Sequence, residues 1–233
     1  MNPNQPNTNN ALIRRMSKAV TFFPLIGWLR LTKKLDQTKA AVNFVLHHKT
    51  ISALQVPAEL LELANLIATR KPKTVLEIGT ALGGTLLLMC RLSDPNATII
   101  SLDLADRDLR YRGYREPIFR SFPRKRQKLH LVLADSHREE TKHRIANLLE
   151  DKGLDILFID GDHSYGGVRS DFEMYSPFVR QGGIVIFHDI VEHSSEKCCE
   201  VNRFWMELRQ QYRYHEIIEN PNQGWAGIGI IYL

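Results

Sequence analysis

At 233 residues with 43% hydrophobic content, the chain can bury one good-sized core, and a single α/β domain with an N-terminal extension is the default organisation. Three cysteines, two of them adjacent at Cys198 and Cys199, have neither disulfide-framework spacing nor Cys-x-x-Cys pairing, which fits a reducing, cytoplasmic setting. The net charge of +5 is unevenly spread, with eight Lys or Arg against one acid in residues 11–49 and nine against two in residues 107–128, so attraction for anionic partners is concentrated in two segments.

Residues 1–10 are almost entirely Asn, Pro, Gln and Thr, which bury too little apolar surface to offset the entropy of ordering, and a disordered tail is expected. Residues 11–48 read as a basic, partly apolar helical extension. Its apolar stretch from Ala19 to Leu31 holds Phe22, Phe23, Leu25, Ile26, Trp28 and Leu29, with Arg14, Arg15 and Lys18 before it and Arg30, Lys33 and Lys34 after it. It is too short to span a bilayer. The basic flank on its far side and the lack of a small-residue cleavage site argue against a signal peptide. The stretch suits a helical lid folded over the domain, and it also suits peripheral contact with an anionic membrane through residues 11–35.

Residues 49–233 should form the main domain. Leu54, Ala58, Leu61, Leu63 and Ile67 recur at helical spacing, and Pro72 stops that helix. Short apolar runs follow at Thr74 to Ile78, Thr98 to Leu102, Leu129 to Leu133, Ile156 to Ile159 and Ile184 to Phe187, as expected for strands buried on both faces. Helix-compatible stretches lie between them at Leu82 to Leu92, Glu139 to Asp151 and Val168 to Phe178. Tyr214 to Ile218 and Gly227 to Leu233, separated by Asn220, Pro221, Asn222 and Gly224, suggest a terminal antiparallel hairpin. The expected fold class is therefore α/β, a Rossmann-like, doubly wound, mostly parallel sheet with a C-terminal antiparallel hairpin. Ligands of such sheets bind beyond the carboxyl ends of the strands.

After the first run the chain reads Glu77-Ile78-Gly79-Thr80-Ala81-Leu82-Gly83-Gly84-Thr85. Glycines there let the backbone turn sharply and approach a ligand beside the free amides of a helix start. Gly79, Ala81 and Gly84 also pass for a degenerate dinucleotide fingerprint. Asp103 ends the second strand and can accept ribose hydroxyls, an interaction that nicotinamide and methionine cofactors share. Asp135 and Ser136 end the third, where they suit an adenine amino group or a helix cap.

The fourth and fifth strands end in Asp155-Ile-Leu-Phe-Ile-Asp160-Gly-Asp-His163-Ser-Tyr and Gln181-Gly-Gly-Ile-Val-Ile-Phe-His188-Asp189-Ile. With these, the chain resembles the class I S-adenosylmethionine-dependent methyltransferases of the group that includes cephalosporin hydroxylases and rhamnosyl or macrolide-sugar O-methyltransferases. It is more distantly similar to catechol O-methyltransferases. The resemblance covers Thr74 to Ile190 and implies a cofactor site at Glu77, Gly79, Gly83, Asp103, Asp135 and Ser136, with Thr80, Ala81, Gly84, Leu104 and Asp160 beside them. It also implies a metal site at Asp160, His188 and Asp189 for Mg²⁺ or Mn²⁺. His188 stands where many relatives carry a carboxylate, which softens the donor set toward Fe²⁺ or Zn²⁺ as well.

Two carboxylates at neighbouring strand ends repel, so a cation or a raised pKa should relieve them. A cation gripping a vicinal diol would acidify the hydroxyl and aim its oxygen at the methyl group. The plainer alternative leaves Asp160 touching only cofactor and Asp189 capping the next element. His163 is the leading general base, with Asp160 beside it as a catalytic residue, and His188 or His193 as substitutes. The basic region from Arg107 to Lys128, with Tyr111, Tyr114, Phe119 and Phe122 interleaved, reads as a solvated face or as a grip on an anionic or lipid-linked saccharide. No nucleic-acid motif is present.

The expected activity is O-methyl transfer to a hydroxyl of a sugar or another vicinal diol. The alternatives are an NAD-dependent oxidoreductase, or a non-catalytic module of this fold acting on membrane or RNA. An oxygenase is set aside because its iron site wants two histidines and one carboxylate, the reverse of the ratio here. The expected location is cytoplasmic, with the membrane contact left open, as is an oligomer.

Overall fold

The computed structural model describes residues 23–104, 115–193 and 199–233. The polar tail, residues 11–22 of the extension and residues 107–114 of the basic region lie outside the described residues. Seven strands, β1 (Thr74–Ile78), β2 (Thr98–Asp103), β3 (Lys128–Leu133), β4 (Leu154–Ile159), β5 (Val179–His188), β6 (Arg213–Ile217) and β7 (Ile228–Tyr232), form one sheet in the order β3-β2-β1-β4-β5-β7-β6. β1 to β5 run parallel, while β7 pairs antiparallel with β5 and β6 antiparallel with β7. This is the doubly wound sheet with a terminal hairpin that the apolar runs predict. Because β1 is flanked by β2 and β4, the connections diverge there, and a crevice opens past the carboxyl ends of β1 and β4.

The described helices are α1 (residues 23–31), α2 (Thr38–His47), α3 (Pro57–Arg70), α4 (Gly84–Leu92), α5 (Arg115–Phe119), α6 (Glu139–Leu149), α7 (Tyr165–Tyr175) and α8 (Val201–Leu208). Alternate strand residues face opposite ways, which splits the core in two. Val75, Ile99, Ile156 and Ile184 meet Leu60, Leu63 and Ile67 of α3 and Leu86 of α4 on one face. Leu76, Ile100, Leu157 and Val185 meet Ile145 of α6, Phe172 of α7 and Trp205 of α8 on the other. The described part of the extension joins the first face through Leu29, Leu35 and Val45. Arg91 of α4 is buried beneath it, 3.5 Å from Asp36 and donating to the carbonyls of Thr32 and Leu29.

Several element boundaries differ from expectation, among them the start of β5, at Val179 rather than Ile184. Leu54 lies outside α3 and is 76% exposed, because Pro57 occupies the first turn, where its missing N–H costs nothing. α7 spans Tyr165–Tyr175 rather than Val168 to Phe178: Ser164 Oγ accepts from Gly167 N at 3.1 Å to start it, and Pro177 sits in the 3-10 turn that ends it. α4 starts at Gly84, since Gly83 holds a left-handed φ of 77°. The amphipathic α8, whose buried face is Val201, Phe204, Trp205 and Leu208, had not been expected at all.

Candidate active site

Past the carboxyl ends of the strands lies a cleft of about 1290 Å³. Its first wall is the turn between β1 and α4. Gly79 (φ 85°) and Ala81 (φ 45°) take left-handed conformations, and a Cβ on Gly79 would stand 2.0 Å from the carbonyl oxygen of Asp160. Only glycine allows β1 and β4 to close up at this point, where Asp160 N donates to Ile78 O at 2.8 Å. Asp103 Oδ2 accepts from the amides of both Thr80 and Ala81 at 3.1 Å. Burial pushes the Asp103 pKa up, against those amide bonds.

Glu77 is fully buried behind this turn and does not line the cleft. It accepts from Thr80 Oγ1 at 2.9 Å, and Thr80 Oγ1 also meets Ser101 Oγ at 2.7 Å. Burial drives the Glu77 pKa up to about 8, against the Thr85 and Thr80 hydroxyls. The carboxyl braces the turn from below. Gly83 and Gly84 are likewise packing positions: a Cβ on Gly83 would strike the Phe119 ring, and one on Gly84 the backbone of Ser52 and Ala53. Gly79, Thr80, Ala81, Asp103, Leu104, Asp135, Ser136 and Asp160 do line the cleft. Asp135 Oδ1 accepts from His137 N at 2.9 Å, and the Ser136 carbonyl accepts from Tyr175 at 2.7 Å.

The opposite wall is built from side-chain charge. His188 Nδ1 lies 3.2 Å from Asp160 Oδ1 and 3.4 Å from Asp189 Oδ1. His163 spans the same pair, with Nε2 3.4 Å from Asp160 Oδ1 and Nδ1 3.3 Å from Asp189 Oδ2. His193 Nε2 is 3.2 Å from Asp189 Oδ1. Asp189 is a non-glycine residue at φ 63°, and its Oδ1 accepts from Ala226 N at 3.1 Å, tying the end of β5 to the hairpin. Left-handed backbone of this kind costs energy and persists where surrounding contacts over-determine it.

Histidines compensate part of the charge of the acid pair. Burial alone would raise Asp160, but the His188 charge and the hydrogen bonds from His163 and His188 bring it down to about 2. Asp189, also against its burial, is held low by His188. Burial would lower His188, yet Asp160 and Asp189 raise it to about 10. The hydrogen bond to Asp160 raises His163 in the same sense, against burial. Ligand atoms of Asp160, His188 and Asp189 lie within 4.8 Å of one another, and His188 Nε2 is buried with no hydrogen-bond partner among the described residues. Two carboxylate oxygens and an imidazole in that compass fit a divalent cation of mixed oxygen and nitrogen preference.

Sequence reasoning missed other lining residues, Ser52 to Gln55, His137, Asp162, Cys199 and Trp225, while Arg115 comes from the basic region read as a solvated face or a grip on substrate. Most sit on connections brought in by tertiary packing, as when Gly84 N donates to Ser52 O at 3.2 Å. The signal nearest to hand for Trp225 was an aromatic residue directly after the turn residues Asn220 to Gly224.

The sheet order, the glycine turn under β1 and the acidic residues ending β2 and β4 define a class I methyltransferase fold. Residues 76–190 match the family described as a methyltransferase domain. An O-methyltransferase from Bacillus cereus, solved in complex with SAH, superposes with a TM-score of 0.56 at 16% identity, over 87% of this chain and 91% of that one. The O-methyltransferase TomG from Streptomyces achromogenes, solved in complex with SAM, gives 0.56 and 16% over 86% and 90%. Two uncharacterised proteins are also similar. R132 of Acanthamoeba polyphaga mimivirus is 36% identical over 76 residues, 30% of this chain and 34% of that protein. Protein y4gI of Sinorhizobium fredii is 26% identical over 156 residues, 61% of this chain and 16% of that protein. The match thus spans about a third of one curated relative and a sixth of the other.

Proposed function

We propose that this chain is an O-methyltransferase that moves the methyl group of S-adenosylmethionine to one hydroxyl of a sugar or other vicinal diol, assisted by a divalent metal. The observation that carries the reading is the meeting of Asp160, His188 and Asp189 at the ends of β4 and β5, across the cleft from Asp103 and the glycine turn. Asp103 would hold the cofactor ribose, and Asp135 with Ser136 its adenine, while Asp160, His188 and Asp189 would hold Mg²⁺ or Mn²⁺. A bound cation would lower the pKa of a hydroxyl it touches and fix its direction. His163, half-buried between Asp160 and Asp189, would take the hydroxyl proton as the oxygen–methyl bond forms and S-adenosylhomocysteine leaves. The two carboxylates hold that imidazole protonated to higher pH than usual, so its service as a base is linked to relief of their charge.

A lipid-linked or otherwise anionic saccharide would suit the surface of α1. α1 exposes Phe23, Trp28 and Leu31, with Arg30, Lys33 and Lys34 exposed beside them, a pairing of apolar and basic side chains suited to an anionic membrane surface. Among the described residues no helix is long and apolar enough to cross a membrane. The test of the whole reading is a thermal-shift panel with S-adenosylhomocysteine, NADH, Mg²⁺ and Mn²⁺, followed by methyl-transfer assays on diol-bearing sugars and catechols. S-adenosylhomocysteine should raise the melting temperature, as any ligand of the native state must. A response to NADH instead, or transfer indifferent to EDTA, would overturn the cofactor or the metal assignment respectively.

A further inference from the structure

We propose a second cation site on the same wall, formed by His163, Asp189 and Cys199 and suited to a thiophilic divalent ion such as Zn²⁺. One ligand atom from each residue lies within 4.8 Å of the others. The three arrive from separate places: the turn after β4, the end of β5, and the approach to α8. Their meeting is held from outside, because Glu200 N donates to His163 O at 2.8 Å and Glu200 Oε2 accepts from Tyr165 N at 3.2 Å. The residue next to Cys199 is thereby clamped to the turn that carries His163. All three line the cleft, so an ion can enter from solvent, and His193, which reaches Asp189 at 3.2 Å, lines it too.

The donor chemistry distinguishes this set from Asp160, His188 and Asp189. Magnesium takes oxygen ligands and has little use for a thiol, whereas sulfur beside imidazole and carboxylate selects zinc. Three protein ligands with a fourth position open is the pattern of a reactive rather than a closed zinc site. A tetrahedral zinc ion holds its ligand atoms roughly 3.5 Å apart, so the observed spacing closes with small side-chain adjustments. Capture of a metal ion by a cysteine displaces the thiol proton. Because both sets use Asp189, zinc at the thiol-bearing site perturbs the oxygen-rich one, and zinc becomes an inhibitor of metal-assisted transfer. That consequence rests on the proposed function. The binding itself does not.

Co²⁺ serves as the spectroscopic probe, added to the full chain, with Zn²⁺ affinity measured by competition against a chromophoric chelator. Wild-type protein should show sulfur-to-cobalt charge-transfer absorption, and Cys199→Ser should abolish it while Cys198→Ser keeps it. Zinc affinity should fall at least about tenfold in Cys199→Ser, the lower end of what even an outer-shell partner contributes, and Mn²⁺ affinity should hold. Circular-dichroism melting checks that the variant is folded, and His163→Asn gives a second route to the same loss of zinc. Absence of the sulfur band in wild-type protein, or its loss in Cys198→Ser instead, overturns the proposal without need of any variant at Cys199. A cobalt–sulfur band in a protein that transfers no methyl group would remove the proposed function and leave this site standing.

Discussion

The two walls of the cleft are stabilised by different means. Under β1 to β3 the backbone shapes the site: Gly79 and Ala81 turn left-handed, and Asp103 spends an oxygen on two amides. Under β4 and β5 the site is a set of mutually compensating charges, two carboxylates against three imidazoles, with Asp189 in a strained conformation pinned to the hairpin. A wall shaped by backbone amides and tight turns sets the outline of the ligand it admits. A wall of carboxylates and imidazoles can exchange protons for cations, as the chemistry of hydroxyl activation requires. The walls join where the Gly79 Cα approaches the Asp160 carbonyl, so substitutions there should damage both, and substitutions away from it should damage one.

The largest effect is expected at the junction. Gly79→Ala places a methyl group against backbone at 2.0 Å and at a φ of 85°, and should cost on the order of 4 kcal/mol or more, or prevent folding. Gly182→Ala, also at positive φ but with its nearest neighbour at 3.7 Å, carries only the backbone penalty of about 1 kcal/mol. Urea denaturation of both variants separates contact from conformation. Equal losses would show that the close approach of the walls contributes nothing.

Asp171 gives the next effect and belongs to the cofactor wall. It is fully buried on α7, 3.3 Å from His137 Nε2. Burial raises its pKa to about 6 from an ordinary 3.8, against Ser136 and His137. Folding therefore favours the protonated acid. That contribution is complete below pH 3.8 and is lost as the pH climbs through 6, to a total on the order of 3 kcal/mol. Asp171→Asn, which copies the neutral acid, should match wild type near pH 4 and melt higher near pH 8. A difference in melting temperature that does not vary with pH would contradict this.

A dissociation between the walls follows at similar size. Asp189→Asn keeps an acceptor for Ala226 N and tolerates the left-handed backbone, but weakens the oxygen donor set. It should reduce metal-stimulated methyl transfer about 100-fold, close to 2.7 kcal/mol in the barrier, with the thermal shift from S-adenosylhomocysteine retained. Asp103→Ala should do the reverse, removing most of that shift. Should both variants lose both properties, the two walls would be a single cooperative unit.

How far each wall could be read from the sequence follows the same division. Glycine-rich turns and acids at strand ends are local features, and Gly79, Asp103 and Asp160 stand where the strand runs put them. The meeting of Asp160, His188 and Asp189 was legible for the same reason, since each lies at or just past the end of β4 or β5. What stayed hidden depends on distant segments. Glu77 looked like a lining residue and lies beneath the turn, because strand alternation points it inward. Cys199 read as an incidental thiol until α8 placed it beside His163. Leu54 read as helical until Pro57 claimed the helix start.

Glu59 shows how such a distant segment reaches the acceptor wall, and sets the smallest effect. It is almost fully buried on α3, and its carboxylate accepts from Glu219 N at 3.1 Å, Gln223 Nε2 at 2.8 Å and Gly227 N at 2.9 Å. Three donors of the hairpin connection thus converge on one side chain, and Ala226, next to Gly227, supplies the amide that fixes Asp189. Glu59→Gln keeps the shape but offers one acceptor oxygen where there were two, turning an amino group toward the amide of Gly227 or of Glu219. Leaving one buried donor without its partner should cost about 1–2 kcal/mol in stability. The hairpin connection meets the end of β5 through Ala226 and Asp189, so the variant should raise the metal concentration needed for half-maximal transfer and leave S-adenosylhomocysteine binding alone. Loss of cofactor binding in this variant would mean that α3 couples the two walls, and that the separation between them ends at the sheet.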